Sequence, residues 1–222
     1  NSMSLPLAVV AVAQGEGLER VFRELGAALV VQGGQSMNPS TEELLDALQL
    51  VGSREVILLP NNSNVIAAAN QAASIAQVVT RVVPTATIPQ GVAALLAFNP
   101  ERDAESNLSA MAEAIADIRT GWITTAIRTT SVSGVQVRRG QILGFLEEKM
   151  VAVGEDVGLV VHQVLDQAKV NSENLVTLYS GTPLDQTQAE RIVNQLRDAF
   201  PETEMELVMG GQPHYHFILS VE

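Results

Sequence analysis

The sequence predicts an α/β protein of two lobes, the first with a parallel sheet covered by helices and the second α+β with a mixed or antiparallel sheet. Three observations carry this. Apolar segments at residues 7–13, 28–31, 55–59 and 78–83 run without alternation, the pattern of strands buried on both faces. Each leads through a polar loop into apolar residues at helical spacing, the repeat that winds a parallel sheet through helical crossovers. At residues 99–103 that repeat breaks, and shorter strand-like segments with turn signals take over. Lobes at residues 5–98 and 99–222 are therefore expected.

In chain order, the first strand leaves through Gln14, Gly15, Glu16 and Gly17. Leu18, Val21, Phe22 and Leu25 stripe a helix that stops at Gly26, a residue suited to the left-handed turn ending a helix. The strand at 28–31 delivers Gly33 and Gly34 to a loop of amides and hydroxyls. Ser40 then precedes Leu44, Leu45, Leu48 and Val51, with Glu43 three residues on. This is a capping box, in which hydroxyl and carboxylate satisfy backbone donors that a helix start leaves orphaned. Pro39 holds Asn38 extended and sets the entry angle. The third repeat runs from 55–59 through Pro60, Asn61, Asn62 and Ser63 to a helix with Val65, Ile66, Ala69, Ala72 and Ala73 inward. The fourth runs from 78–83 through a loop at 84–91 to a short apolar helix at 92–98.

In the second lobe Leu108, Met111, Ile115 and Ile118 stripe a helix up to Thr120 and Gly121. A strand at 122–128, a turn at Ser133 and Gly134, and a hairpin of 141–147 with 149–153 follow. Val157, Val160, Val161, Val164, Leu165 and Ala168 mark a helix, and 175–179 a strand. Asp185 with Gln188 caps a helix whose inward face is Ala189, Ile192, Val193, Leu196 and Phe200. Strands at 205–209 and 214–221 close the chain around Gly210, Gly211, Gln212 and Pro213.

At 222 residues and 46% hydrophobic, the chain can bury a substantial core. A formal charge of −12 repels a phosphate backbone, which argues against nucleic acid, and would steer in a basic protein partner. No apolar run reaches the roughly 20 residues that span a bilayer, so no membrane span is expected. The run from Leu5 to Ala13 is short and lacks a basic leader. The absence of cysteine removes disulfide and thiolate chemistry and fits a cytoplasmic location. Residues 1–4 read as an expression remnant ahead of what is expected to be a fragment of a longer protein.

Loops leaving the carboxyl ends of parallel strands share one edge, where ligands sit. Here Glu16 is almost the only ionisable side chain among them. Amides and hydroxyls without a titrating base recognise rather than catalyse. Partner or ligand binding is therefore expected at Gln35, Ser36, Asn38, Asn61, Asn62, Thr85, Thr87 and Gln90, with no catalytic and no metal residues. The competing account is that such side chains cap helices and bond neighbouring loops, and it is preferred for Ser40 and Ser63. Neither G-x-G-x-x-G nor G-x-x-x-x-G-K-[ST] occurs, so no nucleotide site is expected. His214 and His216 would share a strand face, but with no further ligand indicated they are read as sheet residues rather than a metal site. Arg128, near Arg138 and Arg139, offers a hold for an anionic partner, with surface salt bridges as the simpler account.

Several stretches resemble the C-terminal domain of the fatty acid kinase A subunit, the YloV-like or dihydroxyacetone-kinase-like family. They are residues 10–17, 33–44, 59–64, 88–91 and 94–98, then 121–124, 210–213 and 220–222, so the resemblance covers essentially the whole chain. It implies a multidomain protein in which an N-terminal domain, absent here, binds ATP and magnesium and a middle domain contributes to phosphoryl transfer. This fragment would hold no cofactor and be inactive alone. It would dock a DegV-like fatty-acid-binding protein whose acyl carboxylate is phosphorylated. The first lobe is itself DegV-like in style, with residues 35–40 similar to a hydroxyl loop of that fold. The alternative is a small-ligand or acyl-chain binding module resembling the DegV proteins.

Overall fold

The computed structural model describes residues 6–34 and 38–222. They fall into two compact units, the first within residues 1–14 and 18–118, the second comprising 15–17 and 119–222. In the first, β1 (Leu7–Ala13), β2 (Leu29–Gln32), β3 (Glu55–Leu59) and β4 (Val79–Val82) form an all-parallel sheet in the order β2-β1-β3-β4. The strands are linked by α1 (Glu16–Glu24), α2 (Thr41–Leu50) and α3 (Ile66–Ile75) and followed by α4 (Ile88–Ala97) and α5 (Ala104–Ile115). Every residue of β1 is buried, because the strand is central and both its faces are covered. Val10, Val12, Val56 and Leu58 pack with Leu44 and Leu48 of α2 and with Val65, Ala69 and Ala72 of α3. The alternate residues Val9, Ala11 and Ile57 are equally buried, and α4 and α5 pack against β1 and β3. Each such aliphatic side chain contributes roughly 1.5–3 kcal/mol of transfer free energy, so this layer is the main source of stability in the first unit.

The second unit contains β5 (Arg119–Thr125), β6 (Thr130–Val132), β7 (Val135–Val137), β8 (Ile142–Leu146), β9 (Lys149–Gly154), α6 (Val157–Ala168), β10 (Leu175–Ser180), α7 (Gln186–Ala199), β11 (Glu204–Met209) and β12 (Tyr215–Val221). Its main sheet runs β11-β10-β12-β5-β8-β9 and is mixed: β10 and β11 are parallel, and the remaining pairs are antiparallel. α6 and α7 bury Val161, Val164, Leu165, Val193 and Leu196 against Val176, Leu178, Phe217 and Leu219. The β6–β7 ribbon is a separate two-stranded sheet turned by Ser133 and Gly134, both at positive φ. Among the described residues no helix is long and apolar enough to cross a membrane.

The structure departs from the sequence pattern in four places. α4 begins at Ile88 rather than 92, with Thr87 as N-cap and Pro89 in the first turn, where a missing N–H costs nothing. The units divide after Ile118, later than residues 99–103. The buried Asn107 amide donates to the carbonyls of Asn99, Arg102 and Asp103, tying that polar segment onto α5. β5 begins at Arg119 and ends at Thr125, because the Ala126 N–H turns to the Gln141 carbonyl and the chain leaves for the ribbon. His214 lies before β12 at φ 70° and is exposed, while His216 sits at a shift in the β12–β5 register, so the two imidazoles do not share a regular strand face.

Candidate functional site

The capping box at α2 is complete: Ser40 Oγ accepts from Glu43 N (3.1 Å), and Glu43 accepts from Ser40 N (2.7 Å). Those hydrogen bonds hold the Glu43 carboxyl below its ordinary pKa. Gln35 and Ser36, at the head of the same loop, lie outside the described residues. Asn38 is exposed.

Asn61 and Thr85 come together and are buried. Asn61 Nδ2 donates to the Val12 carbonyl (2.9 Å), and the Thr85 hydroxyl donates to Asn61 Oδ1 (2.8 Å) while accepting from Asn61 N (3.0 Å). The loops after β3 and β4 are thereby pinned to each other and to the end of β1. Asn61 stands at φ 56°, a region Asn tolerates better than most residues. α4 rests directly on this lock: a Cβ on Gly91 would lie 2.0 Å from Asn61 Oδ1. Asn62 is buried and closes a local turn by accepting from Asn64 N (2.9 Å). Thr87 accepts from Gln90 N (3.2 Å), and Gln90 Oε1 accepts from Ala86 N (2.7 Å). Of the predicted binding residues, the structure thus commits Asn61, Asn62, Thr85, Thr87 and Gln90 to internal bonds. Among the described residues, Asn38, Ser63 and Asn64 of this edge are exposed and Gln90 is half-buried.

A second cluster, which the residue pattern does not single out, lies at the carboxyl end of β10. Ser180 O accepts from Gly210 N and Gly211 N (2.9 Å each), Gln212 Nε2 donates to the Tyr179 carbonyl (2.7 Å), and Gly181 N donates to the His216 carbonyl (3.0 Å). Backbone approaches backbone so closely that a Cβ on Gly17 would lie 1.7 Å from the Met209 oxygen, and one on Gly181 1.9 Å from the Tyr215 oxygen. Ser180 and Gln212 are almost wholly buried, yet Ser180 Oγ, Gln212 Oε1 and His216 Nδ1 have no hydrogen-bond partner. His216 Nε2 lies 2.8 Å from Thr125 Oγ1, and burial lowers the imidazole pKa, favouring the uncharged ring. The cluster therefore offers uncharged donors and acceptors, suited to binding a polar group. The only signal in the sequence is the density of glycines at 15, 17, 181, 210 and 211. Among the described residues no group of three or more His, Asp and Glu is placed to hold a metal ion.

Residues 8–222 match the family described as the C-terminal domain of fatty acid kinase A-like subunits. The chain belongs to that family. It is 39% identical to the protein YloV of Bacillus subtilis over 98% of its own length, covering 39% of YloV. It is 33% identical to an uncharacterised Staphylococcus aureus protein over 97% of its length, again covering 39% of the relative. The chain thus spans about two-fifths of the curated relatives it matches. Solved structures show the fold. A DegV family protein from Corynebacterium glutamicum superposes with a TM-score of 0.66 at 17% identity, over 98% of this chain and 97% of that one. Bacillus subtilis DegV, a fatty acid binding protein, gives 0.63 at 12% over 98% and 99%. The dihydroxyacetone kinase of C. freundii gives 0.62 at 15%, over 98% of this chain and 48% of the kinase.

Proposed function

We propose that this chain is the non-catalytic docking domain of a cytoplasmic fatty acid kinase subunit. It engages a DegV-like fatty-acid-binding protein, so that the acyl carboxylate meets ATP and magnesium held by other domains of the longer protein. The observation that carries the reading is the family match over residues 8–222. The exposed amides and hydroxyl of Asn38, Ser63 and Asn64 support it, because side chains that do not titrate near neutral pH suit recognition better than acid–base chemistry. Calorimetry of the purified chain with a DegV-like protein carrying a C18 fatty acid tests this. Binding is expected, with no heat on titration of ATP, and micromolar ATP binding would overturn the non-catalytic role. At the first-unit edge, Asn38→Arg and Ser63→Arg are expected to weaken the complex while leaving the unfolding midpoint unchanged, since both side chains are exposed.

A second reading is that the chain holds an acyl chain or small ligand itself. It is supported by the superposition on a fatty acid binding protein and by the unpartnered buried atoms of Ser180 and Gln212. Native mass spectrometry after incubation with oleate separates the two: an acyl adduct retained by the isolated chain favours this second reading.

A further inference from the structure

Between Asp117 and Glu147 this acidic chain carries Arg119, Arg128, Arg138 and Arg139 and no carboxylate. Arg119 is used internally, donating to the Ala168 carbonyl (2.7 Å). The remaining three gather at the root of the β6–β7 ribbon, where the two chain segments are bonded together. Ala126 N donates to Gln141 O and Gly140 N to Ala126 O (2.8 Å each), Arg139 N donates to Thr129 Oγ1 (3.2 Å), and Arg138 N to Gln141 Oε1 (2.8 Å). The inner side of the ribbon is accounted for by packing, since Val132 and Val137 cluster with Ala126, Leu143, Phe145, Met150 and Val153. Its root is not. Arg128, Arg138 and Arg139 are exposed, and Ile127 beside them is 84% exposed. Arg138 faces one carboxylate, Glu155 at 3.4 Å, which Gln141 also holds. The exposed Arg128 and Arg139 and the exposed Ile127 stand on two segments bonded to each other, an arrangement that suits recognition of carboxylates.

The geometry points to the ribbon root, Ile127 with Arg128, Arg138 and Arg139, as a docking element for an acidic protein surface. It rests on the docking reading above, and assigns the acidic surface to the acyl-carrying partner. A protein is the fitting occupant because carboxylates on a folded surface can meet the root alone. An anionic bilayer or a nucleic acid is an extended charge that also faces the rest of a chain with net charge −12. Arg128 and Arg139 would take carboxylates, and Ile127 an apolar contact between them.

The test measures the affinity of the intact chain for a DegV-like protein at 50 and 300 mM salt, comparing wild type with Arg128→Gln/Arg139→Gln and with Ile127→Ser. In parallel, anisotropy follows a labelled 20-residue poly-glutamate peptide. Two exposed ion pairs predict about fivefold weaker binding at low salt and a shallower salt dependence for the double variant. Arg20→Gln/Arg23→Gln on α1 is expected to change nothing. A partner complex indifferent to the ribbon variants overturns this inference and leaves the docking reading standing. Arginine-dependent binding of poly-glutamate without a partner complex overturns the docking reading and keeps the ribbon as an acidic-protein site. Loss of both overturns both. Arginine-dependent capture by phosphatidylglycerol vesicles, with no protein complex, overturns the choice of a protein occupant.

Discussion

At the carboxyl edge of the first unit, loops are held together by side chains, the Asn61 amide and Thr85 hydroxyl reaching a neighbouring carbonyl and each other. At the carboxyl end of β10 in the second unit, loops are held mainly by backbone against backbone, with Gly17 and Gly181 where two segments come closest. The difference sets what each edge tolerates. A side-chain lock can be loosened one bond at a time, whereas a backbone crossing has no flexible atom to yield when a methyl group is added.

The largest effect should follow from Gly17→Ala or Gly181→Ala, which place a methyl group within 2 Å of a carbonyl oxygen. Overpacking against fixed backbone predicts a loss of about 3 kcal/mol, read as a fall in the urea midpoint. Gly52→Ala is the contrast: nothing lies within 4 Å of its Cβ position, so only its positive φ is felt, at about 1 kcal/mol. Equal losses at the crossings and at Gly52 would break the comparison.

Asn61→Ala should cost somewhat less than a blocked crossing, about 2–3 kcal/mol, by orphaning the Val12 carbonyl and leaving alanine at φ 56°. Asn61→Gly keeps the backbone comfortable, so the difference between the two variants isolates the conformational share. Ser40→Ala removes an exposed helix cap, and a loss of about 1 kcal/mol is expected in thermal melts.

The smallest effects are those of pH, and they separate the units. Glu43 and Asp103 are held below their ordinary pKa by hydrogen bonds from Ser40 and Ser106 respectively. A lowered folded pKa gives stability that is present above the unfolded value, near pH 4, and is lost as pH falls through the folded one. Tyr179 moves the other way. Burial first, then the charges of Glu222 and Glu206, raise its pKa, so its contribution is complete below about pH 10 and is lost as pH rises beyond. Glu43→Gln with Asp103→Asn should flatten the acid limb of the melting-temperature profile, and Tyr179→Phe the alkaline limb. Flattening of the same limb by both sets would break the assignment.

The sequence by itself determined the elements whose signals are local. Unbroken apolar runs marked β1 and β3, the spacing of Ser40 and Glu43 marked the start of α2, and Asp185 with Gln188 marked that of α7. These depend on neighbours a few residues away, which is the range over which periodicity and capping act. Family membership was legible for a different reason: it rests on many short matches spread over the whole chain.

Tertiary structure decided the rest. The Asn61, Asn62, Thr85 and Thr87 side chains read as an open polar edge, and became a buried lock only once parallel pairing set one loop against the next. Ser180, Gln212 and His216 come from two strands and a crossover loop, and no spacing rule connects them. The exposure of Ile127 follows from β5 ending at Thr125, fixed by hydrogen bonds from Ala126 and Gly140 to partners across the turn. Burial is a property of what lies opposite a residue in space, and that partner is written elsewhere in the chain.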